Sequence, residues 1–105
     1  MTSDRNEPGP DELLQAKITM ETARIAWREL QRFFAAGSAL AVAPELDLVQ
    51  VAAALADDDK NRFENWLSSE QVAPVSDRQA EKWYDGDQDV WAVVVAPWIL
   101  VQVVK

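Results

Sequence analysis

The feature that most constrains this chain is its apolar C-terminal segment, which reads WAVVVAPWILVQVV over residues 91–104. The segment is rich in valine and is interrupted by Pro97 and Gln102. It is also shorter than the ~18–20 apolar residues that a membrane-spanning helix needs. These properties predict two buried β-strands, at residues 90–96 and 99–104, that are separated at the proline. With 105 residues, of which 49% are hydrophobic, the chain can cover such strands within one domain.

The composition excludes several kinds of chemistry. The chain contains no cysteine and no histidine. This excludes disulfide bonds, thiolate catalysis and cysteine-ligated metals, and removes the most common general base and transition-metal ligand. The net charge of -8 argues against a nucleic-acid partner, because binding to phosphates depends on lysine and arginine. The N-terminal residues lack the apolar stretch of a secretory signal. We therefore expect a cytoplasmic, non-enzymatic protein with no cofactor, no nucleic-acid partner and no membrane association.

The N-terminal part of the chain predicts an arm followed by a long helix. Residues 1–12 are charged and contain two prolines and a glycine, which is typical of a disordered arm, so we assign a single domain to residues 13–105. Thr19 could cap a second helix, so residues 13–36 fit either one helix or two. Apolar residues recur there at every third or fourth position and predict a buried helix face: Ala23, Ala26, Trp27, Leu30, Phe33 and Phe34.

The next segment is compatible with two structures. Residues 38–43 are short and apolar and precede Pro44, which predicts a strand that ends in a turn. Residues 46–56 alternate as a strand would at Val49 and Val51. Their alanine content and the preceding proline suit a helix as well. We favour the strand because of the β-branched alternation.

The second half of the chain carries recognisable helix boundaries. Three consecutive aspartates at residues 57–59 suit the free N–H groups and the positive dipole at the start of a helix. Ser76, followed three residues later by Gln79, is a capping-box pattern, and the helix that it starts is expected to end near Gly86. Residues 72–75 include a proline, which predicts extended chain between the two helices.

Two segments of the sequence resemble each other. Residues 42–51 read VAPELDLVQV and residues 95–103 read VAPWILVQV. If the match is a repeat, the domain contains two helix–hairpin units. If it is a coincidence of valine-rich strands, the C-terminal segment is one long strand bent by a bulge at Pro97. The fold class is predicted to be α+β, with helices packed on one face of a mostly antiparallel sheet of three or four strands. We expect one core that buries Trp27, Leu30, Phe34, Trp66, Trp83, Val93 and Val95.

Three stretches together resemble a known protein family. They are TARIAWRELQRFFAAG at residues 22–37, PELDLVQVA at residues 44–52 and WAVVVAPWILVQ at residues 91–102. In this order they are similar to a small bacterial family that is described only as a domain of unknown function. The resemblance covers nearly the whole chain after the N-terminal arm. It implies a single-domain bacterial protein and supplies no activity, ligand or catalytic residue.

Basic side chains form the first candidate site. Lys17, Arg24, Arg28 and Arg32 fall on one side of the predicted first helix. Clustered guanidinium groups bind carboxylate and phosphate, so the arginines are candidates for contact with an anion or an acidic partner. The same spacing also suits a solvated helix face. Because residues 37–105 carry most of the negative charge, the arginines could meet the acidic part of their own chain or of a second copy.

Acidic residues are weaker candidates. Glu45 and Asp47 lie in an apolar stretch, where burial of one carboxyl group would suit acid–base catalysis, although Asp47 could equally bond to the N–H groups of a turn. Three other aspartates have the alternate spacing that opens a calcium loop, but the glutamate that such a loop needs is missing, so we expect no metal: Asp85, Asp87 and Asp89.

The C-terminal strand is the candidate interface. The segment has few charges and contains Trp98, Ile99 and Val101. Such a composition suits a strand covered on both faces within its own sheet, and it equally suits an open apolar edge that pairs with a second copy. The leading hypothesis is a non-enzymatic protein-interaction module that forms a homodimer or binds another protein. The alternative is a small-molecule or anion-binding protein, or an unusual enzyme, that uses arginine, tyrosine and carboxylates. A cleft joining the arginines to Glu45, Asp47 or Tyr84 would favour the alternative. A flat apolar patch at Trp98 would favour the interaction module.

Overall fold

The C-terminal hairpin forms the centre of the molecule. The computed structural model describes residues 9–104. In it the predicted apolar strands pair in antiparallel fashion, from Val90 opposite Val103 to Val95 opposite Trp98. The five strands are β1 (Ala23–Ala26), β2 (Ala39–Val42), β3 (Val72–Pro74), β4 (Asp89–Val95) and β5 (Trp98–Val103). The helices are α1 (Pro10–Glu21), a 3₁₀ helix (Trp27–Leu30), α2 (Gln31–Ala35), α3 (Leu48–Ala56), α4 (Lys60–Ser68) and α5 (Asp77–Asp85).

The strands form one mixed sheet in the order β1-β4-β5-β2-β3. Strand β5 pairs with β4 on one side and runs parallel to β2 on the other, and every other pair is antiparallel. The α+β class and the mostly antiparallel sheet are therefore confirmed. The predicted count of three or four strands is wrong, because the sheet contains five.

Both faces of the sheet are covered, which corrects the prediction of helices on one face. Successive side chains of a strand point to opposite faces. Ile99 and Val101 accordingly pack against the 3₁₀ helix, α2 and α5, on what we call the α5 face. Leu100 packs against α1, α3 and α4, on what we call the α3 face. The expected single core is therefore two cores: Trp27, Leu30, Phe34 and Trp83 lie on the α5 face, and Trp66, Val93 and Val95 lie on the α3 face.

The predicted long helix at residues 13–36 is interrupted, and the interruption does not lie at Thr19. Helix α1 ends where both the backbone N–H and the hydroxyl of Thr22 donate to the Ile18 carbonyl. The following four residues form strand β1, which pairs with Asp89–Ala92 of β4. The apolar spacing therefore does not come from one continuous helix. Trp27 reaches the core from the 3₁₀ helix that follows this strand.

The strand favoured at residues 46–56 is wrong, because these residues form helix α3. The Asp47 carboxylate caps the helix by accepting from the backbone N–H groups of Val49 (2.9 Å) and Gln50 (3.4 Å). The helix buries Val51 completely on the α3 face. The internal repeat is excluded as well, since the shared LVQV sequence is helical in the first segment and lies in β5 in the second.

Other predicted boundaries are confirmed. Strand β2 lies within residues 38–43, Asp59 caps α4 by accepting from the N–H of Arg62, and β3 lies within residues 72–75. Helix α5 begins at the predicted capping box, in which both reciprocal hydrogen bonds are present, and Gly86 follows the last residue of the helix. Of the predicted arm, residues 1–8 lie outside the described residues, and Pro10 begins α1. No helix within residues 9–104 is long and apolar enough to cross a membrane.

Candidate functional site

Two of the three candidate arginines bind acidic residues of their own chain. Arg24 lies on β1 opposite Trp91, and its Nε is 3.1 Å from an Asp89 carboxylate oxygen. Arg28, on the 3₁₀ helix, has its Nε 3.8 Å from a carboxylate oxygen of Asp87. These contacts join the N-terminal segment to the loop between α5 and β4, at Asp87, and to the first residue of β4, Asp89. The prediction that the arginines could meet the acidic part of the same chain is therefore confirmed for these two.

Arg28 also contacts Tyr84 of α5. Its Nε donates to the Tyr84 carbonyl at 3.0 Å, and its guanidinium carbon lies 4.7 Å from the centre of the tyrosine ring. This is the arginine–tyrosine juxtaposition that the binding alternative requires. It lies on the open surface, however, because Arg28 and Tyr84 are both exposed. The contact docks the 3₁₀ helix onto the end of α5, and an exposed cation–π interaction of this kind contributes about 0.5–1 kcal/mol.

Arg32 does not join this group. It lies on α2, with its guanidinium carbon 5.5 Å from the centre of the Phe33 ring. The three arginines therefore do not converge on one anion, as a common face of a single helix would have allowed. The break at β1 separates them, because each now belongs to a different element.

The candidate carboxylates are explained by local structure. The Asp47 side chain caps α3, as described above, and Glu45 is exposed in the turn before it. Asp87 and Asp89 face different arginines instead of a shared centre. Within residues 9–104 no group of three or more acidic side chains is placed to hold a metal ion.

The candidate interface residues lie at the centre of the sheet. Ile99 is 3% exposed and Val101 is completely buried on the α5 face, while Trp98 is half-buried against the other core. Because β5 pairs with β4 and with β2, it has no open edge. The apolar character of the segment thus reflects burial on both faces, as in the central strands of covered sheets.

The outer strands of the sheet are β1 and β3, and an apolar groove lies beside β1. We call it the edge groove. It has a volume of about 300 Å³ on the α5 face, and 53%-exposed Val94 lies in it. The groove exists because β4 extends beyond β1, which pairs only with Asp89–Ala92. Its apolar lining includes Ala23, Ile25, Phe33, Val94 and Ile99, and its charged lining includes Glu21, Glu29 and Arg32.

Comparison with known proteins identifies the family. Residues 13–103 match a family described as a protein of unknown function, DUF2288. The chain belongs to the DUF2288 family. Its fold is similar to the solution structure of PA1075 from Pseudomonas aeruginosa, with a TM-score of 0.76 and 45% sequence identity over 92% of this chain and 88% of that one. No curated protein matches the chain. The resemblance inferred from the sequence is thus confirmed, and it assigns no activity.

The sequence of this DUF2288 protein does not predict the edge groove, because the apolar spacing predicts a helix where the structure has β1. The available signal was weak. Thr22 and Ile25 are β-branched, a residue type enriched in strands, but alanines and arginine surround them. Four residues are also too few to show a two-residue periodicity against a helical background.

Proposed function

We propose that this protein is a non-enzymatic interaction module that self-associates by pairing β1 with β1 of a second copy. The observation that carries the proposal is the edge of β1, which within residues 9–104 pairs with β4 alone, together with the edge groove beside it. Added strands are held by main-chain hydrogen bonds, while pockets for alternate side chains supply specificity. This route replaces the C-terminal strand as the expected interface, since β5 lies in the interior of the sheet.

Strand β1 suits pairing better than the opposite edge of the sheet. Strand β3 has three residues and ends at Pro74, which has no backbone N–H to donate. Strand β1 contains no proline. A charged side chain usually protects an edge from pairing. On β1 that charge is Arg24, which is already paired with Asp89.

The charge of Arg24 and the orientation of the α5 face favour one register for the proposed dimer. A continuous sheet that keeps the α5 face of both copies on the same side requires residues of the same face to lie opposite each other. Pairing Arg24 with Arg24 of the second copy would place like charges directly opposite, which is destabilising. Pairing Ile25 with Ile25 of the second copy avoids this and places Arg24 opposite Ala26.

Cross-linking of a single introduced cysteine tests this register. The natural chain has no cysteine, so Ile25→Cys carries one thiol. Directly opposite Cα atoms in antiparallel strands lie about 4.5–5.5 Å apart, within the 4.4–6.8 Å that a disulfide spans. We expect a covalent dimer on mild oxidation. Arg24→Cys is the matched control, because its diagonal separation of about 7–8 Å is too long for a disulfide.

Sedimentation equilibrium tests the association itself. We expect a homodimer at micromolar concentration for the wild type and dimerisation at least about tenfold weaker for Val94→Lys, which places a charge in the edge groove. Leu67→Lys is the control, because Leu67 is also an exposed apolar residue but lies on α4, on the α3 face. A wild type that remains monomeric at all these concentrations would refute the proposal.

A further inference from the structure

A second groove lies at the other end of the α5 face, over β2, β3 and β5. We call it the sheet groove. Its volume is about 290 Å³, at the small end of the range for ligand pockets. The floor is made of small apolar side chains, of which Val101 is completely buried and the others are half-buried, and the Trp83 indole, which is 8% exposed, forms a wall. The floor residues are Ala41, Ala73, Val101 and Val103.

The turn after β2 forms the wall opposite α5, and hydrogen bonds hold this turn in place. The Gln102 side chain donates from Nε2 to the carbonyls of Ala43 and Leu46, both at 2.8 Å. The Ala43 N–H donates to the Gln71 carbonyl at 2.8 Å. These bonds tie the turn after β2 to the central strand and to the residue before β3, so contacts within the chain fix this side of the groove.

Gln79 gives the groove a hydrogen-bond donor of known orientation. Its Oε1 accepts from the Ser76 backbone N–H at 3.0 Å as part of the capping box. A backbone N–H must bond to the oxygen of the amide, so the assignment of Oε1 and Nε2 is determined. The Nε2 group is therefore the part of the amide available to donate to a molecule in the groove that Gln79 lines.

The charge at the groove restricts the ligand. Among the described residues that line it, Glu70 is the one titratable side chain. An anionic ligand would meet this carboxylate in a chain whose net charge is already -8. A ligand that accepts from Gln79 and donates to Glu70 satisfies both polar groups, while an aromatic ring suits the Trp83 wall and the apolar floor.

We propose that the sheet groove binds a small, uncharged aromatic molecule that carries a carboxamide. The carboxamide carbonyl accepts from Gln79 Nε2, its amino group donates to the Glu70 carboxylate, and the ring lies on the apolar floor beside Trp83. The site is separate from the edge groove, so it does not depend on the proposed dimer.

Nuclear magnetic resonance titration with benzamide tests the proposal. We expect saturable shifts at Ala41, Ala73, Val103 and the Trp83 indole, with a dissociation constant on the order of 1 mM for so small a probe. Benzoate has the same shape but is anionic, and we expect no saturable shift at these residues. Shifts that are absent with benzamide, or equal with the two probes, would overturn the proposal.

One variant isolates the Gln79 donor. Glutamate is also favoured at this capping-box position, so Gln79→Glu keeps the acceptor for Ser76, removes the donor and adds one negative charge. We expect benzamide to bind about fivefold more weakly or worse. Arg78→Gln is the control, because it makes the same change in net charge at the adjacent exposed position. Equal affinities for wild type and Gln79→Glu would refute the assigned role of Gln79.

Discussion

Removing the cap of α3 tests the element on which sequence and structure differ most. In Asp47→Ala the N–H groups of Val49 and Gln50 lose their acceptor at the helix start. One of these bonds is short, at 2.9 Å, and the other is long, at 3.4 Å, so the loss is close to that of one strong capping bond. Such a loss costs about 1 kcal/mol, and the missing negative charge near the helix dipole adds a few tenths.

Urea denaturation followed by circular dichroism measures this effect. A loss of ~1 kcal/mol lowers the urea midpoint by about 0.5 M for a chain of this size, and the melting temperature by about 4–8 °C. Asp47→Asn keeps the capping oxygen, so its free energy of unfolding should fall by only a few tenths of a kcal/mol. Glu45→Ala, an exposed change two residues earlier, should stay within ~0.5 kcal/mol of the wild type.

The comparison of these variants decides the role of Asp47. If Asp47→Ala unfolds at the same urea concentration as the wild type, the cap does not stabilise α3 and the reasoning is wrong. If Asp47→Asn is as unstable as Asp47→Ala, the charge and not the hydrogen bond is responsible.

Three further predictions concern the core, the surface and catalysis. Leu30→Ala, at a site that is 4% exposed, should cost ~2–5 kcal/mol in the same assay, and a loss below ~0.5 kcal/mol would show that this side chain does not fill the α5-face core. Arg24→Gln should cost less than ~1 kcal/mol, with the difference from wild type shrinking further in high salt; a larger, salt-independent loss would contradict an exposed ion pair with Asp89. A broad substrate screen should find no hydrolase, transferase or oxidoreductase activity, and turnover that disappears in Tyr84→Phe would overturn the non-enzymatic assignment.

Several elements were predictable because their signals are local. The bonds between Ser76 and Gln79 form between residues three apart, so the capping box can be recognised without knowledge of the rest of the fold. The same is true of the aspartate that caps α4. The burial of the apolar C-terminal strands was predictable because residues buried on both faces of a sheet leave a nearly continuous apolar run. Their arrangement was not, since without a repeat the sequence predicts one strand bent at Pro97, whereas β4 and β5 pair as a hairpin.

The candidate sites were less predictable, because their geometry depends on which elements become neighbours. The three arginines share a helical spacing, yet the intervening strand β1 directs Arg24 to Asp89 and Arg28 to Tyr84 and Asp87. Neither grouping follows from positions along the chain, since each contact joins residues more than fifty positions apart.

By itself, the sequence determined the residue chemistry, the α+β class, the caps of α4 and α5 and the burial of the C-terminal hairpin. The tertiary structure alone decided between helix and strand at β1 and α3. The apolar spacing of these segments is compatible with both structures, and only the contacts with neighbouring elements distinguish them. Pairing with β4 satisfies the backbone of residues 23–26 as a strand, and burial of Val51 against the α3 face together with the Asp47 cap favours a helix at residues 48–56. The position of β5 was decided in the same way: parallel pairing with β2 closes an edge that its sequence would equally allow to be open.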